Sequence, residues 1–266
     1  MPHPFVDATT WQRDGATAGA LRFDEGWYQG RGAYGGVVAG ALARAMAEVD
    51  ASPDRPLRWL TVHFCAPAVG VGRIEVTPER RGNAVSHASA RLTGEGGTLA
   101  TASATFARAR PAELAWRDAQ MPAVAPPASI PEPFRGTPSP VFTRHLEFRF
   151  VHGAMPFTAA PAAELGAWIR FVEPLVVDPI AAIALLDAAP PAAMARMDRP
   201  RPMASVAFSV QIFADLPRPG ARADEHHLLV GRSRIAGGGY AEEMAELWSE
   251  GGELIAACWQ NIAVLG

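Results

Sequence analysis

The chain has 266 residues, a hydrophobic fraction of 49% and a formal net charge of −3. That is apolar material for one large domain or two small ones, and the slight acidity argues against a nucleic-acid surface. All 24 basic residues are arginine, which removes Schiff-base and phosphate-loop lysines from consideration.

Residues 1–20 read as an irregular lead-in without a basic-then-apolar signal layout. No apolar run reaches membrane-spanning length, so no membrane partner and a cytoplasmic location are expected. Residues 21–30 (LRFDEGWYQG) read as a first strand, and GRGAYGG at 30–36 leads into a helix over 37–49. Strands are expected at 57–67, 70–82, 83–92 and 98–109, with GEGG at 94–97 as a hairpin signal. Prolines crowd residues 110–141, which predicts a linker without a regular element. FTRHLEFRF (142–150) alternates as a strand with Leu146, Phe148 and Phe150 on one face, and 165–173 is a second. A helix from Pro179 to about Ala189 follows, with Asp178 as N-cap and Pro190-Pro191 as the stop. Strands close the chain at 203–213, 226–235, 239–249 and 253–264.

The two halves repeat. TVHFCAPAVG (61–70) matches SVQIFADLPRPG (209–220), and GEGGTLATASATF (94–106) matches SEGGELIAACWQN (249–261). A helix before a run of antiparallel strands, made twice, is an α+β architecture. The expected division is 1–109, a linker at 110–141, and 142–266.

Few residues break these patterns. The helix beginning at Pro179 is apolar nearly all round, as a buried helix is. Asp187 in its last turn meets the negative end of the helix dipole. It either points to solvent beside the Pro-Pro turn or is a functional carboxylate. Gln260 is the one strong hydrogen-bonding side chain on a strand face of Leu254, Ala256, Cys258, Ile262 and Val264. It is either satisfied by neighbouring backbone or part of a site. The apolar face of SVAFSVQIF is Val206, Phe208, Val210 and Ile212, with Ser205 on the opposite parity. Gly30 to Gly35 fits G-x-G-x-x-G, but antiparallel hairpins follow where a dinucleotide site needs a parallel βαβ unit. These glycines either make a tight turn or let backbone amides, those of Gly35 and Gly36, face a carbonyl oxygen developing negative charge or a phosphate. Cys65 and Cys258 read as small core residues in a reducing compartment. His226 and His227 read as surface, and His63 and His87 as serving packing or solvent. No Cys/His spacing suggests a metal.

The segments YGGVVAGALARAM, LTVHFCAP, WIRFVEPLVVDPIAAIALLDAAPP, SVAFSVQIF and LWSEGGELIAACWQN resemble, in order and spacing, the type II acyl-CoA thioesterases and their thioesterase-like relatives. The resemblance implies a double hotdog fold and hydrolysis of an acyl-CoA or related acyl thioester. It implies no cofactor and no metal, and a role in fatty acid metabolism. It places the family's catalytic Asp, Thr/Ser and Gln at Asp187, Ser205 and Gln260. Serine stands where better-studied members have threonine, Ala207 where a charged residue is common, and Asn261 where many have glutamate. A non-catalytic acyl-thioester-binding protein on the same fold is the alternative. The D-x-N-P-x-H pattern of hotdog hydratases is absent, which discounts hydration. Exposed sheet edges make a homo-oligomer the expectation.

Overall fold

A computed structural model describes residues 3–130, 133–134 and 139–265. The first half runs α1 (Pro4–Thr9), β1 (Gln12–Arg13), β2 (Ala18–Phe23), β3 (Tyr28–Gln29), β4 (Gly32–Ala33) and α2 (Gly35–Asp50). It ends in β5 (Leu57–Phe64), β6 (Gly70–Arg81), β7 (Val85–Gly94) and β8 (Gly97–Ala107). The second half runs β9 (Leu146–Gly153), β10 (Glu164–Phe171), α3 (Pro179–Leu186), β11 (Met203–Ile212), β12 (His227–Arg232), β13 (Ala236–Gly237), β14 (Tyr240–Ser249) and β15 (Leu254–Val264).

Apart from the β3–β4 pair, these strands form one 13-stranded sheet in the order β1-β2-β6-β7-β8-β5-β11-β15-β14-β12-β10-β9, with β13 beside β14. Every pairing among the described residues is antiparallel. That removes the parallel βαβ context a dinucleotide fingerprint needs. The fold is α+β, a double hotdog: each half wraps a helix in antiparallel strands, and the two sheets are continuous. They join at β5–β11, where Thr61 faces Ser209 and their hydroxyl oxygens lie 3.1 Å apart. These two residues occupy matching places in the repeat, so a pseudo-two-fold axis passes through the pair. The helices lie on one face and pack on each other. A Cβ on Gly40 would stand 3.2 Å from Ile180, so α2 and α3 approach closely there. Leu60, Val62, Phe208 and Val210 line the sheet beneath them, all fully buried.

Several expectations needed correction. The lead-in 1–20 holds α1, because Pro4 starts a helix and His3 Nδ1 accepts the Phe5 N–H at 3.1 Å. Phe5 and Thr9 then bury against the core. The strand expected over 21–30 stops at Phe23, where Asp24 caps a 3-10 turn at Glu25–Trp27. The strand expected from 142 begins at Leu146. Pro140 opens a 3-10 turn over Val141–His145 instead, and Phe142 turns inward. The linker is not featureless: Pro127–Ser129 form a 3-10 turn. Its Pro131 and Pro138 lie outside the described residues. Cys65 is exposed, because β5 ends at Phe64, whereas Cys258 is buried as expected. His227 is 2% exposed, since it pairs with Ile169 on the helix-facing side of the sheet. The helix α3 stops at Leu186, short of Ala189.

On the opposite face of the sheet, Trp168 packs with Leu228 and Trp248 beneath Met121, Val124 and Ile130. Its indole N–H donates to the Ala125 carbonyl at 2.8 Å. Trp168→Ala should therefore cost about 3–5 kcal/mol and speed tryptic cleavage at Arg117. Thermal melting and mapped limited proteolysis check both effects. An unchanged cleavage rate would mean that this segment is held by something else.

Candidate active site

Asp178 caps α3 by accepting the Ala181 N–H at 2.7 Å, and Pro179 stands at the first helical position. Every residue from Ile180 to Leu186 is buried. Asp187 is the C-cap residue, so its carboxylate begins at the unfavourable end of its own helix. The start of α2 resolves that conflict. The first turn of α2 lies against the Asp187 carboxylate, and the Gly36 amide there pulls its pKa down, placing the acid at the positive end of the neighbouring dipole.

This approach explains the glycines. A Cβ on Gly35 would lie 2.6 Å from Asp187 Oδ2, and a Cβ on Gly36 would lie 2.5 Å from the Tyr34 ring and hydroxyl. Neither position admits a side chain without displacing its neighbour. Tyr34 is fully buried, stacks on Phe142 at 4.0 Å between ring centroids, and donates its hydroxyl to the Ala184 carbonyl. It thereby adds a second donor to a carbonyl in the last turn of α3 that already accepts the Asp187 N–H at 3.2 Å. Burial, and then the charge of Asp187, hold its phenol protonated far into the alkaline range.

Gln260, 8% exposed on β15, reaches the same point. Its Nε2 donates to Asp187 Oδ1 at 3.3 Å, and its Oε1 accepts the Ser205 hydroxyl at 2.7 Å. The two bonds fix which end of the amide faces which partner. Simple alternation puts Ser205 on the wrong side of its strand. A β-bulge between Ser205 and Ala207 reverses that parity. Val206, expected on the apolar face, is exposed instead. Asp187, Ser205 and Gln260 are therefore brought together, with the amides of Gly35 and Gly36 beside them.

Burial raises the Asp187 pKa to about 7, against the opposing pull of Gln260 and Gly36. A second acid was missed in the sequence. Glu243 is buried on β14, directly opposite Gln260, and burial raises its pKa to about 8. Its signal was available: in YAEEMAEL it shares parity with Ala241, Ala245 and Leu247. The Cys258 thiol is buried on the same face, and burial raises its pKa far enough to keep it protonated and inert. A cleft of about 530 Å³ opens further along this face, lined among others by Ala193, Arg196, Met197, Arg234, Ala241 and Val264. Among the described residues no group of three or more His, Cys, Asp or Glu side chains could hold a metal ion. No described helix is long and apolar enough to cross a membrane.

Family models match both halves: an acyl-CoA thioesterase N-terminal domain over residues 23–107 and an acyl-CoA thioesterase C-terminal domain over 121–264. Among solved structures, the chain is similar to a conserved protein of unknown function with hot dog fold from Alicyclobacillus acidocaldarius. The identity is 28% and the TM-score 0.90, covering 100% of this chain and 99% of that one. An acyl-CoA thioesterase II from Mycobacterium marinum shares the fold at 21% identity and a TM-score of 0.75, covering 98% and 97% of the two chains. The tesB protein of Mycobacterium avium subs paratuberculosis does so at 16% identity and 0.80, covering 98% of each. No curated protein matches.

A raised carboxylate pKa has a consequence for stability. From the ordinary value of 3.8 up to about 7, the folded chain binds more protons at Asp187 than the unfolded chain does. Folding stability therefore falls as pH rises through that window and levels off above it. Asp187→Asn should match the parent in stability near pH 4 and exceed it at pH 8 by roughly 2–4 kcal/mol. Denaturant unfolding at the two pH values checks this, and equal stabilities at pH 8 would contradict the buried charge.

Proposed function

The chain belongs to the acyl-CoA thioesterase family, and we propose that it hydrolyses an acyl thioester with a water held by Asp187 and Ser205. The observation that carries this reading is the hydrogen-bonded line from Ser205 through Gln260 to Asp187, ending at the start of α2. Asp187 takes a proton from the water as its oxygen attacks the thioester carbonyl carbon. The Ser205 hydroxyl, already donating to Gln260, has its lone pairs free to accept the other water hydrogen. Gln260 keeps both partners in register. The C–S bond then breaks, and the thiolate leaves and takes up a proton, giving a free acid and a thiol. Proton transfer and orientation of this kind contribute on the order of 10²–10⁴-fold. The Gly35 N–H is the proposed oxyanion donor, worth roughly 3 kcal/mol.

The cleft of about 530 Å³ is of a size to take part of such a substrate. Arg196 and Arg234 in its lining suit the phosphates of a CoA carrier. The two repeats, 1–109 and 142–266, are read as halves that build one site. The exposed sheet edge at β1 suits a homodimer.

Asp187→Asn should abolish most acyl-CoA hydrolysis by removing the base at constant shape. Gln260→Ala and Ser205→Ala should each cost less, Ser205→Thr should be tolerated, and the losses should not add. In the parent, kcat/KM should rise with pH through about 7, because only the ionised Asp187 accepts a proton. Steady-state kinetics across pH and melting temperatures on the same samples check this set. Full activity in a folded Asp187→Asn protein would end the reading, and binding of acyl thioesters without turnover would favour a non-catalytic carrier.

A further inference from the structure

Glu243 is 5% exposed on the helix-facing side of β14. Its Oε2 accepts the Ala192 N–H at 2.6 Å. A Cβ on Gly231 would lie 3.5 Å from its Oε1, so β12 packs in ordinary contact with the carboxyl. Ala192 opens the 3-10 turn Ala192–Arg196, which follows Asp187 after Ala188, Ala189 and the stiff Pro190-Pro191 pair. Both ends of this short segment are thus tied to neighbouring strands at one level of the sheet. Asp187 reaches Gln260 on β15, and Ala192 reaches Glu243, the residue paired with Gln260 across the β14–β15 ladder.

We propose that Glu243 is a positioning residue for hydrolysis, holding Asp187 over Gln260 through the Ala192 amide. This rests on the hydrolytic reading above and adds a residue to it. The titratable groups that face Glu243 are Asp187 from the end of α3 and the Cys258 thiol from β15, and Glu242, on the other face of the same strand, adds its charge. Gly231 on β12 and Ala192 bring none. Burial raises the Glu243 pKa to about 8 against the opposing pull of the Ala192 N–H, and the charges of Asp187 and Glu242 add to the rise. What the geometry assigns to Glu243 is reach and a hydrogen-bond acceptor at the Ala192 amide.

That distinction sets the test, made on the full chain with Glu243→Gln, Glu243→Asp and Glu243→Leu. Three readouts are taken: acyl-CoA hydrolysis, melting temperature, and the titration of the Asp187 carboxyl by ¹³C NMR. Glutamine keeps the acceptor at the same reach, so kcat should stay within about threefold and the Asp187 titration should not move. Aspartate keeps the acid but falls a methylene short of Ala192. It should lose roughly tenfold or more in kcat with little change in KM, and Asp187 should titrate lower as water reaches it. Leucine should behave like aspartate, and if it does not fold, the aspartate–glutamine comparison decides alone. An aspartate variant with parental kcat and an unmoved Asp187 titration overturns the proposal. So does a glutamine variant that loses as much as aspartate, or a set that changes melting temperature alone. Should the parent hydrolyse no thioester, the NMR arm still decides the placement of Asp187 while the hydrolytic reading falls by itself.

Discussion

The contact between the Asp187 carboxylate and the first turn of α2 is the constraint from which the site follows. A carboxylate at the C-terminal end of a buried helix is opposed by its own dipole and by desolvation. Here the Gly36 amide, at the start of a neighbouring helix, opposes both. That arrangement requires the two helices to meet end to start and requires glycine at Gly35 and Gly36. Tyr34 fills the space behind them and donates to the Ala184 carbonyl. The motif that superficially suggests nucleotide binding is thus a steric solution for seating an acid.

The same geometry explains why the duplicated fold carries one polar cluster and not two. Through the pseudo-two-fold at Thr61 and Ser209, Ser205 corresponds to Leu57 and Gln260 to Ala104. This pairing shifts the last strand by one residue from the GEGG–SEGG match read in the sequence. The bulge is present in both copies, between Leu57 and Trp59 as well as between Ser205 and Ala207. In the first copy it turns a leucine inward and fills the core; in the second it turns in a hydroxyl. Local backbone form is shared by the repeats, and chemistry is not.

Most of the architecture was legible because it rests on periodicity and punctuation: the capped α3, the alternating strands, the repeat itself. Asp187 and Gln260 stood out because each interrupts an apolar face. Ser205 could be found only by resemblance, since a bulge leaves no mark in alternation. Glu243 lay in plain parity but looked like one acid among several in YAEEMAEL. α1 was missed because a six-residue helix is too short for its period to show. It is held by Phe5 and Thr9 packing against distant residues, which no local pattern reports.

The seat of Asp187 also has a consequence for assembly. Its amide donor comes from the first repeat, and its other partners come from the second. In a fold made from two separate chains, such a site would exist only as a fraction set by protein concentration. Here the peptide running from β8 to β9 makes the encounter intramolecular. The site is therefore as complete in dilute solution as in concentrated solution, and each half is free to diverge without having to recognise a copy of itself.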